Sequence, residues 1–299
     1  MWARCLNLYL SCCFSMVGVM LKLLGPLLVL LALSLITLIT YTFFTYVLPL
    51  LEMSSSGKSV LVGTAVFFIS QMIYNYIKAI STNPGTPPLY EDFKLDEVEK
   101  QNGEDDGKSR CNKCDRFKPP RCHHCSVCQR CVLKMDHHCP WINNCVGWYN
   151  YRYFMLFKLY LATLCFMVII FFFPLFSQSL RKRRHARGSL ELEGEPFVLM
   201  SVIVCVSIST ALCMLGGFHV FLTLTNQTTI EFQSNMARKS QYAKRGQVFR
   251  NPYNLGWSRN FQQVFGPSAV GGLRWMLSWW AHPPSGNGMS FPSMGRFTE

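Results

Sequence analysis

The sequence predicts an all-α membrane protein, with four transmembrane helices and a compact cysteine-rich domain between helices 2 and 3. Three observations carry this. Half of the 299 residues are hydrophobic and only 15% are charged. The apolar residues gather into four blocks instead of spreading evenly. Eight of the fourteen cysteines crowd between Cys111 and Cys145, among four histidines.

The blocks are Leu23 to Leu51, Val60 to Ile80, Tyr153 to Ser177 and Phe197 to Thr225. A helix needs roughly 20 apolar residues to cross ~30 Å of hydrocarbon, and each block is long enough. Buried helices of soluble proteins carry a polar stripe, which these blocks lack. Ahead of the first block, Arg4, Cys5, Cys12 and Cys13 lie in an apolar run that merges with the span, without a cleavable signal. Those cysteines suit either acylation or helix packing. Met53 to Lys58 reads as the tight loop between helices 1 and 2. Cys165, Cys205 and Cys213 fall inside spans, as small apolar packing residues.

Four segments follow in chain order: 1–80 with helices 1 and 2, 81–152 with the cysteine-rich domain, 153–225 with helices 3 and 4, and the tail 226–299. Asn83-Pro84-Gly85 is a turn that ends helix 2. Glu91 to Ser109 is polar and acidic, a linker composition. Tyr149-Asn150-Tyr151-Arg152-Tyr153 forms an aromatic and basic girdle leading into helix 3.

The net charge of +13 must be read by location. Ser81 to Arg152 carries 11 basic and 10 acidic residues, whereas the tail after Asn226 carries 8 basic and 2 acidic. A basic tail beside a bilayer faces anionic lipid, so the expected partner is the membrane and not nucleic acid.

The cysteine-rich block reads Cys111-x2-Cys114, then Cys122-His123-His124-Cys125-x2-Cys128-x2-Cys131, then Asp136-His137-His138-Cys139 and Cys145. Cys-x2-Cys knuckles with nearby histidines have the spacing of tetrahedral structural zinc, because one turn points both sulfurs at one ion. Thiolates and metal together imply a reducing compartment. Two zinc sites need eight ligands and the block offers twelve. Spacing alone does not say which four are spare, but spare thiols beside metal are where chemistry could live.

The run from Cys111 to Asn150, with Asp136-His137-His138-Cys139 followed by Pro140-Trp141-Ile142-Asn143-Asn144-Cys145-Val146-Gly147, resembles the DHHC protein acyltransferase family. The likeness extends to Asn83-Pro84-Gly85, to Thr228-Thr229-Ile230-Glu231 after the fourth span, and to the Asn260 region. Val248 to Asn254 and Gly286-Asn287-Gly288-Met289-Ser290 are similar to an Abl-philin-like subgroup resident in the endoplasmic reticulum.

The resemblance implies a four-helix fold with a cytosolic two-zinc domain. It assigns Cys111, Cys114, His124 and Cys131 to one Zn2+, and Cys125, Cys128, His138 and Cys145 to the other. Cys122, His123, His137 and Cys139 are then spare, and Cys122 departs from the small residue usual in the family. The implied activity is protein S-acyl transfer from palmitoyl-CoA, or another long-chain acyl-CoA, to membrane-proximal cysteines of protein substrates. Cys139 is the expected nucleophile, His137 its base and Asp136 the group that orients the imidazole. Trp141 is expected near the mouth of an acyl cavity among the spans. Lys118, Arg121, His123 and Lys134 form a basic set for the CoA phosphates. Asn260 and Phe261 to Gly266 are expected to pack against the membrane-proximal core.

An Asp that orients a histidine through one oxygen leaves the other in need of a donor, and the resemblance points to the Thr229 hydroxyl. The alternative is that both threonines only end the fourth span. Even spans and cytosolic zinc put both termini in the cytosol, with the endoplasmic reticulum favoured over the Golgi. Arg181 to Arg184 and Arg187 then fall in a luminal loop, against the positive-inside bias, which acts as a sum over loops. Two other functions compete: a silent membrane adaptor, which has no use for Asp136, His137 and Cys139 together, and a zinc-dependent ubiquitin ligase, which needs a cross-braced ligand set.

Overall fold

In the computed structural model, residues 2–90, 110–185, 194–269, 272–277, 284 and 286–294 are described, with side chains from 16 onward except 179, 182–185 and 268. The expected linker at 91–109, Arg187, and the side chains of Cys5, Cys12 and Cys13 lie outside the described residues.

Six α-helices and two short hairpins are described. Helix α1 runs Trp2–Thr42 and continues through a π-helical turn, Phe43–Val47, and a 3-10 turn, Leu48–Leu50. Helix α2 is Ser55–Ser81. The cysteine-rich domain then supplies strands β1 (His123–Cys125), β2 (Arg130–Val132), β3 (His137–Cys139) and β4 (Asn144–Val146). Helices α3 (Tyr151–His185), α4 (Glu195–Leu224), α5 (Thr229–Ala243) and α6 (Trp257–Phe265) follow.

Four stretches are long and apolar enough to cross a membrane: Met16–Leu50, Ser55–Ser81, Tyr151–Gln178 and Glu195–Leu224. They match the predicted blocks in number and order. Their ends differ, because a helix carries on through polar residues once started. Tyr151 and Arg152, expected to lead into helix 3, are its first turn.

The chain forms two compact units. One comprises Leu30–Tyr76 and Met155–His219. Its core is Phe43, Val47, Leu61, Ala65, Phe172, Val198 and Val202, with Phe43 stacked on Phe172 at a centroid distance of 6.2 Å. It holds an almost wholly apolar cavity of about 80 Å3, whose lining includes Ile36, Ile69, Met72, Leu164, Cys165 and Cys205.

The other unit comprises Met1–Val29, Ile77–Phe154 and Val220–Glu299. Its small core can hold a fixed shape because polar side chains close the backbone's loose ends. Asn144 Nδ2 donates to Ala79 O, Ile80 O and Thr82 O, capping the carbonyls that end α2. Asn150 Nδ2 donates to Cys145 O at 2.8 Å, and its Oδ1 accepts from Gly147 N. The Asn83-Pro84-Gly85 turn is stitched to the domain by Leu133 N to Gly85 O and Tyr149 N to Pro84 O. Gly147 is a tight point, since a Cβ there would lie 2.6 Å from Val132 Cγ1 and 2.9 Å from Leu133 O.

In the tail of this unit, Asn260 is buried and donates from Nδ2 to Leu224 O at 2.7 Å. Phe261, Phe265 and Trp275 pack together beside it, and Arg152 donates to Phe265 O and Trp275 O. The expected packing role of the aromatic tail segment is therefore met.

Candidate active site and paired metal groups

Each hairpin pairs a His-His-Cys strand with a strand carrying a central cysteine. In the first, His123, His124 and Cys125 face Val132, Cys131 and Arg130. In the second, His137, His138 and Cys139 face Val146, Cys145 and Asn144. Antiparallel register thus sets the central histidine opposite the central cysteine in both. Two knuckles complete the sets, giving the groups Cys111, Cys114, His124, Cys131 and Cys125, Cys128, His138, Cys145, with ligand atoms all within 4.8 Å of one another.

These groups fit zinc. Tetrahedral bonds of about 2.3 Å to sulfur and about 2.0 Å to nitrogen put sulfurs about 3.8 Å apart and sulfur about 3.5 Å from nitrogen. In the first group Cys114 Sγ is 3.4 Å from Cys131 Sγ, and His124 Nδ1 is 3.7 Å from Cys111 Sγ. In the second, Cys145 Sγ is 3.4 Å from Cys128 Sγ, and His138 Nδ1 is 3.4 Å and 3.7 Å from the same two sulfurs. A single knuckle turn aims two sulfurs inward, as Cys128 N donating to Cys125 Sγ at 3.3 Å illustrates.

Cys139 belongs to neither group. It is buried, and His137 hydrogen-bonds both it and Asp136. The Asp136 contact uses Nδ1, which donates to Oδ2 at 2.6 Å, so the second ring nitrogen serves the thiol. Burial alone would disfavour the imidazolium, but the bonds to Asp136 and Cys139 outweigh it and raise the His137 pKa to about 9. Phe154 packs edge-on against the ring at 5.3 Å.

Asp136, 1% exposed, is held from the tail. Thr229 Oγ1 donates to Oδ2 at 2.7 Å and Thr229 N donates to Oδ1 at 3.0 Å. The expected hydroxyl contact is present, with one difference. His137 and the hydroxyl share Oδ2, and the other oxygen is served by a backbone amide that no sequence pattern announces.

Every residue of Thr228-Thr229-Ile230-Glu231 is engaged. Thr228 caps α5, its hydroxyl accepting from Glu231 N while its own N donates to Glu231 Oε2. Ile230 packs on Cys125, Val132, Met135 and Cys145. Glu231 accepts two bonds from Arg121, at 2.6 Å and 2.7 Å. Burial pushes the Glu231 carboxyl up, but Arg121 outweighs this and holds it below its usual range.

The basic set does not form one open patch. Arg121 is buried, donates to Asn226 Oδ1 and Asn226 O besides Glu231, and stacks beneath Tyr253 and Phe291. Lys134 donates to Asn226 Oδ1 at 3.2 Å and lies 5.2 Å from the Trp148 ring. Burial and the nearby Arg121 hold its ammonium pKa well below the ordinary value. These two cations are therefore tied inside the unit, a placement that a charge count along the chain cannot reveal. Lys118 and His123 are half-buried, and Lys118 is near enough to disfavour protonation of His123, as burial also does. Trp141 is 51% exposed.

One pattern in the sequence was available and missed. All four ligands of the first group recur fourteen residues later as the ligands of the second. By the same offset Cys122 corresponds to Asp136, His123 to His137, and the ligand Cys125 to Cys139. Continuing the offset gives Ile142 and Arg152 where a third group would need Cys and His, so the repeat supplies no further ligands to accompany Cys139.

Comparison with known proteins agrees with this geometry. Residues 104–236 match the family described as DHHC palmitoyltransferase. The chain is 31% identical over 316 residues to human palmitoyltransferase ZDHHC15, covering 97% of this chain and 87% of that one. It is 33% identical over 221 residues to the probable protein S-acyltransferase 16 of Arabidopsis thaliana, covering 72% and 74%. Zebrafish palmitoyltransferase ZDHHC20-B is 30% identical over 291 residues, with 85% and 80% covered. With its paired Cys/His groups and its His-bonded spare thiol, the chain belongs to the DHHC palmitoyltransferase family, and is a multi-pass membrane enzyme of protein S-acylation.

Proposed function

We propose that Cys139 carries the acyl group between a long-chain acyl-CoA, palmitoyl-CoA above all, and membrane-proximal cysteines of protein substrates. The observation that carries this is the chain of bonds from Thr229 through Asp136 and His137 to Cys139, the one thiol of the domain that both escapes the metal groups and meets a base. His137 takes the Cys139 proton, and the thiolate attacks the acyl carbonyl. The bond to the CoA sulfur breaks, and CoA leaves with the proton from His137. In the second half a substrate thiol gives its proton to His137, attacks the Cys139 thioester and takes the acyl chain, restoring the Cys139 thiol. Asp136 fixes the tautomer throughout.

The eight ligands would hold two Zn2+, which supply rigidity to the loop between the hairpins and no chemistry of their own. The apolar cavity of the helical unit supports hydrocarbon as cargo, since each sheltered CH2 is worth about 0.8 kcal/mol. Trp141, Lys118 and His123 remain the residues for the acyl-CoA itself. Both termini are cytosolic in this reading, because zinc thiolates need a reducing compartment. The segments Val248 to Asn254 and Gly286 to Ser290 favour the endoplasmic reticulum over the Golgi.

The test is incubation of purified protein with labelled palmitoyl-CoA. Label should be incorporated, released by neutral hydroxylamine, and absent from Cys139→Ser. Full labelling of that variant would move the nucleophile elsewhere.

A further inference from the structure

A fourth thiol, Cys122, packs beside the donors of the first metal group. Cys122 is 2% exposed and belongs to one buried sulfur cluster with Cys111 and Cys131, against which Cys114 packs. Its thiol is within hydrogen-bonding reach of Cys131. A specific turn delivers it there. Cys122 N donates to Pro119 O at 3.1 Å, and Arg121 at the corner has φ of 68°. Left-handed backbone disfavours a residue with a side chain, and the two bonds to Glu231 hold Arg121 in it. The second group has no such thiol, because the corresponding position is Asp136, already engaged by His137 and Thr229.

We propose that Cys122 is a reserve ligand of the first metal site, able to replace His124 and convert three thiolates and a histidine into four thiolates. Cys122 lies outside the four-atom group yet against three of its members, which is the place a replacement must start from. In the exchange His124 Nδ1 would give up its place in the group, the Cys122 thiol would release its proton to solvent, and Cys122 Sγ would take that place. No electrons are transferred. A neutral ligand is replaced by an anion. A four-thiolate site also suits softer ions than zinc. The inference rests on the two-zinc assignment above.

The experiment counts zinc in full-length protein purified in detergent. The unmodified chain and Cys122→Ala should each hold about two zinc ions. His124→Ala should keep both, whereas His138→Ala, with no reserve thiol, should keep one. The double variant His124→Ala, Cys122→Ala should also keep one. Cobalt substitution gives a second readout, since sulfur-to-cobalt absorption should rise in His124→Ala as a fourth thiolate joins. Equal zinc in the single and double variants would overturn the proposal. So would equal failure of the two to yield folded protein while Cys122→Ala is normal. Fewer than two zinc ions in the unmodified chain would remove the metal assignment itself, and the inference with it.

Discussion

Hairpin β1–β2 and hairpin β3–β4 carry the same His-His-Cys strand fourteen residues apart, yet only the first commits its cysteine to a metal group. Cys125 is a ligand of the second group because a second knuckle and histidine follow it at the repeat spacing. Cys139 holds the corresponding place in the last copy, and no third knuckle follows. Its thiol is left over by the end of an array. The neighbouring positions diverge in step. The first copy has Cys122 where the second has Asp136, and only the carboxylate can accept from the imidazole and from Thr229 together. In the proposed mechanism the second copy differs from the first in having no further copy after it and an acid where the first has a thiol.

The largest expected effects come from replacing the two corresponding cysteines. Cys139→Ser should abolish hydroxylamine-sensitive labelling while both metals stay. Cys125→Ser should lose one metal and the fold of the domain, because structural zinc contributes about 10 kcal/mol or more to folding. Metal analysis beside labelling separates the two. If Cys125→Ser kept two metals and full structure, the offset between the groups would not describe how they are built.

Asp136→Asn comes next. It keeps the shape but turns an acceptor toward a donor, so the imidazole tautomer is wrong. Autoacylation should fall about 10^2- to 10^4-fold with metal unchanged. Cys122→Ser, at the corresponding place in the first hairpin, should change the rate far less, because Cys122 packs in the sulfur cluster of the first metal group and Asp136 is the partner of His137. A comparable loss in both variants would mean the two positions are not functionally distinct.

Arg121→Met tests what joins the first hairpin to the tail. Leaving Glu231 buried without its partner should cost about 3–5 kcal/mol, seen as a lower unfolding temperature and partial loss of metal. Gly147→Ala should cost about 1–3 kcal/mol, since the added methyl meets Val132 and the Leu133 carbonyl.

Much of this was readable from residues in order. Four apolar blocks foretold four spans, because bilayer thickness sets a length that composition reveals. Knuckle spacing foretold paired metal groups, because a tight turn is a local property. What stayed hidden depends on the third dimension. Arg121 and Lys134 read as part of a basic set for the CoA phosphates, and nothing in the order of residues shows their carboxylate and amide partners about a hundred positions away. The amide of Thr229 is invisible for another reason: every residue has one, and only α5's placement makes this one count. Helix ends were misplaced by a few residues because helices extend through polar side chains when the backbone bonds remain satisfied.

The smallest predicted effect sets Thr228 against Thr229, two identical neighbours with different partners. Thr228 caps α5, so Thr228→Val should cost about 0.5–2 kcal/mol of stability while the labelling rate changes little. Thr229→Val removes the hydroxyl from Asp136 Oδ2 but leaves the backbone N–H on Oδ1, so the carboxylate keeps one of its two tail bonds. A hydrogen bond to a charged group is worth about 1.5–3 kcal/mol, which bounds the loss at about 10- to 100-fold. The retained amide bond places the expectation near the lower end of that range. Zinc content should not move, because the bonds Thr229 makes run to Asp136. The decisive comparison is Thr229→Ser, which restores a hydroxyl without the methyl and should recover most of the rate. If Ser and Val were equally slow, the methyl's packing and not the bond to Asp136 would be what Thr229 provides, and the tail's hold on His137 would rest on the amide alone.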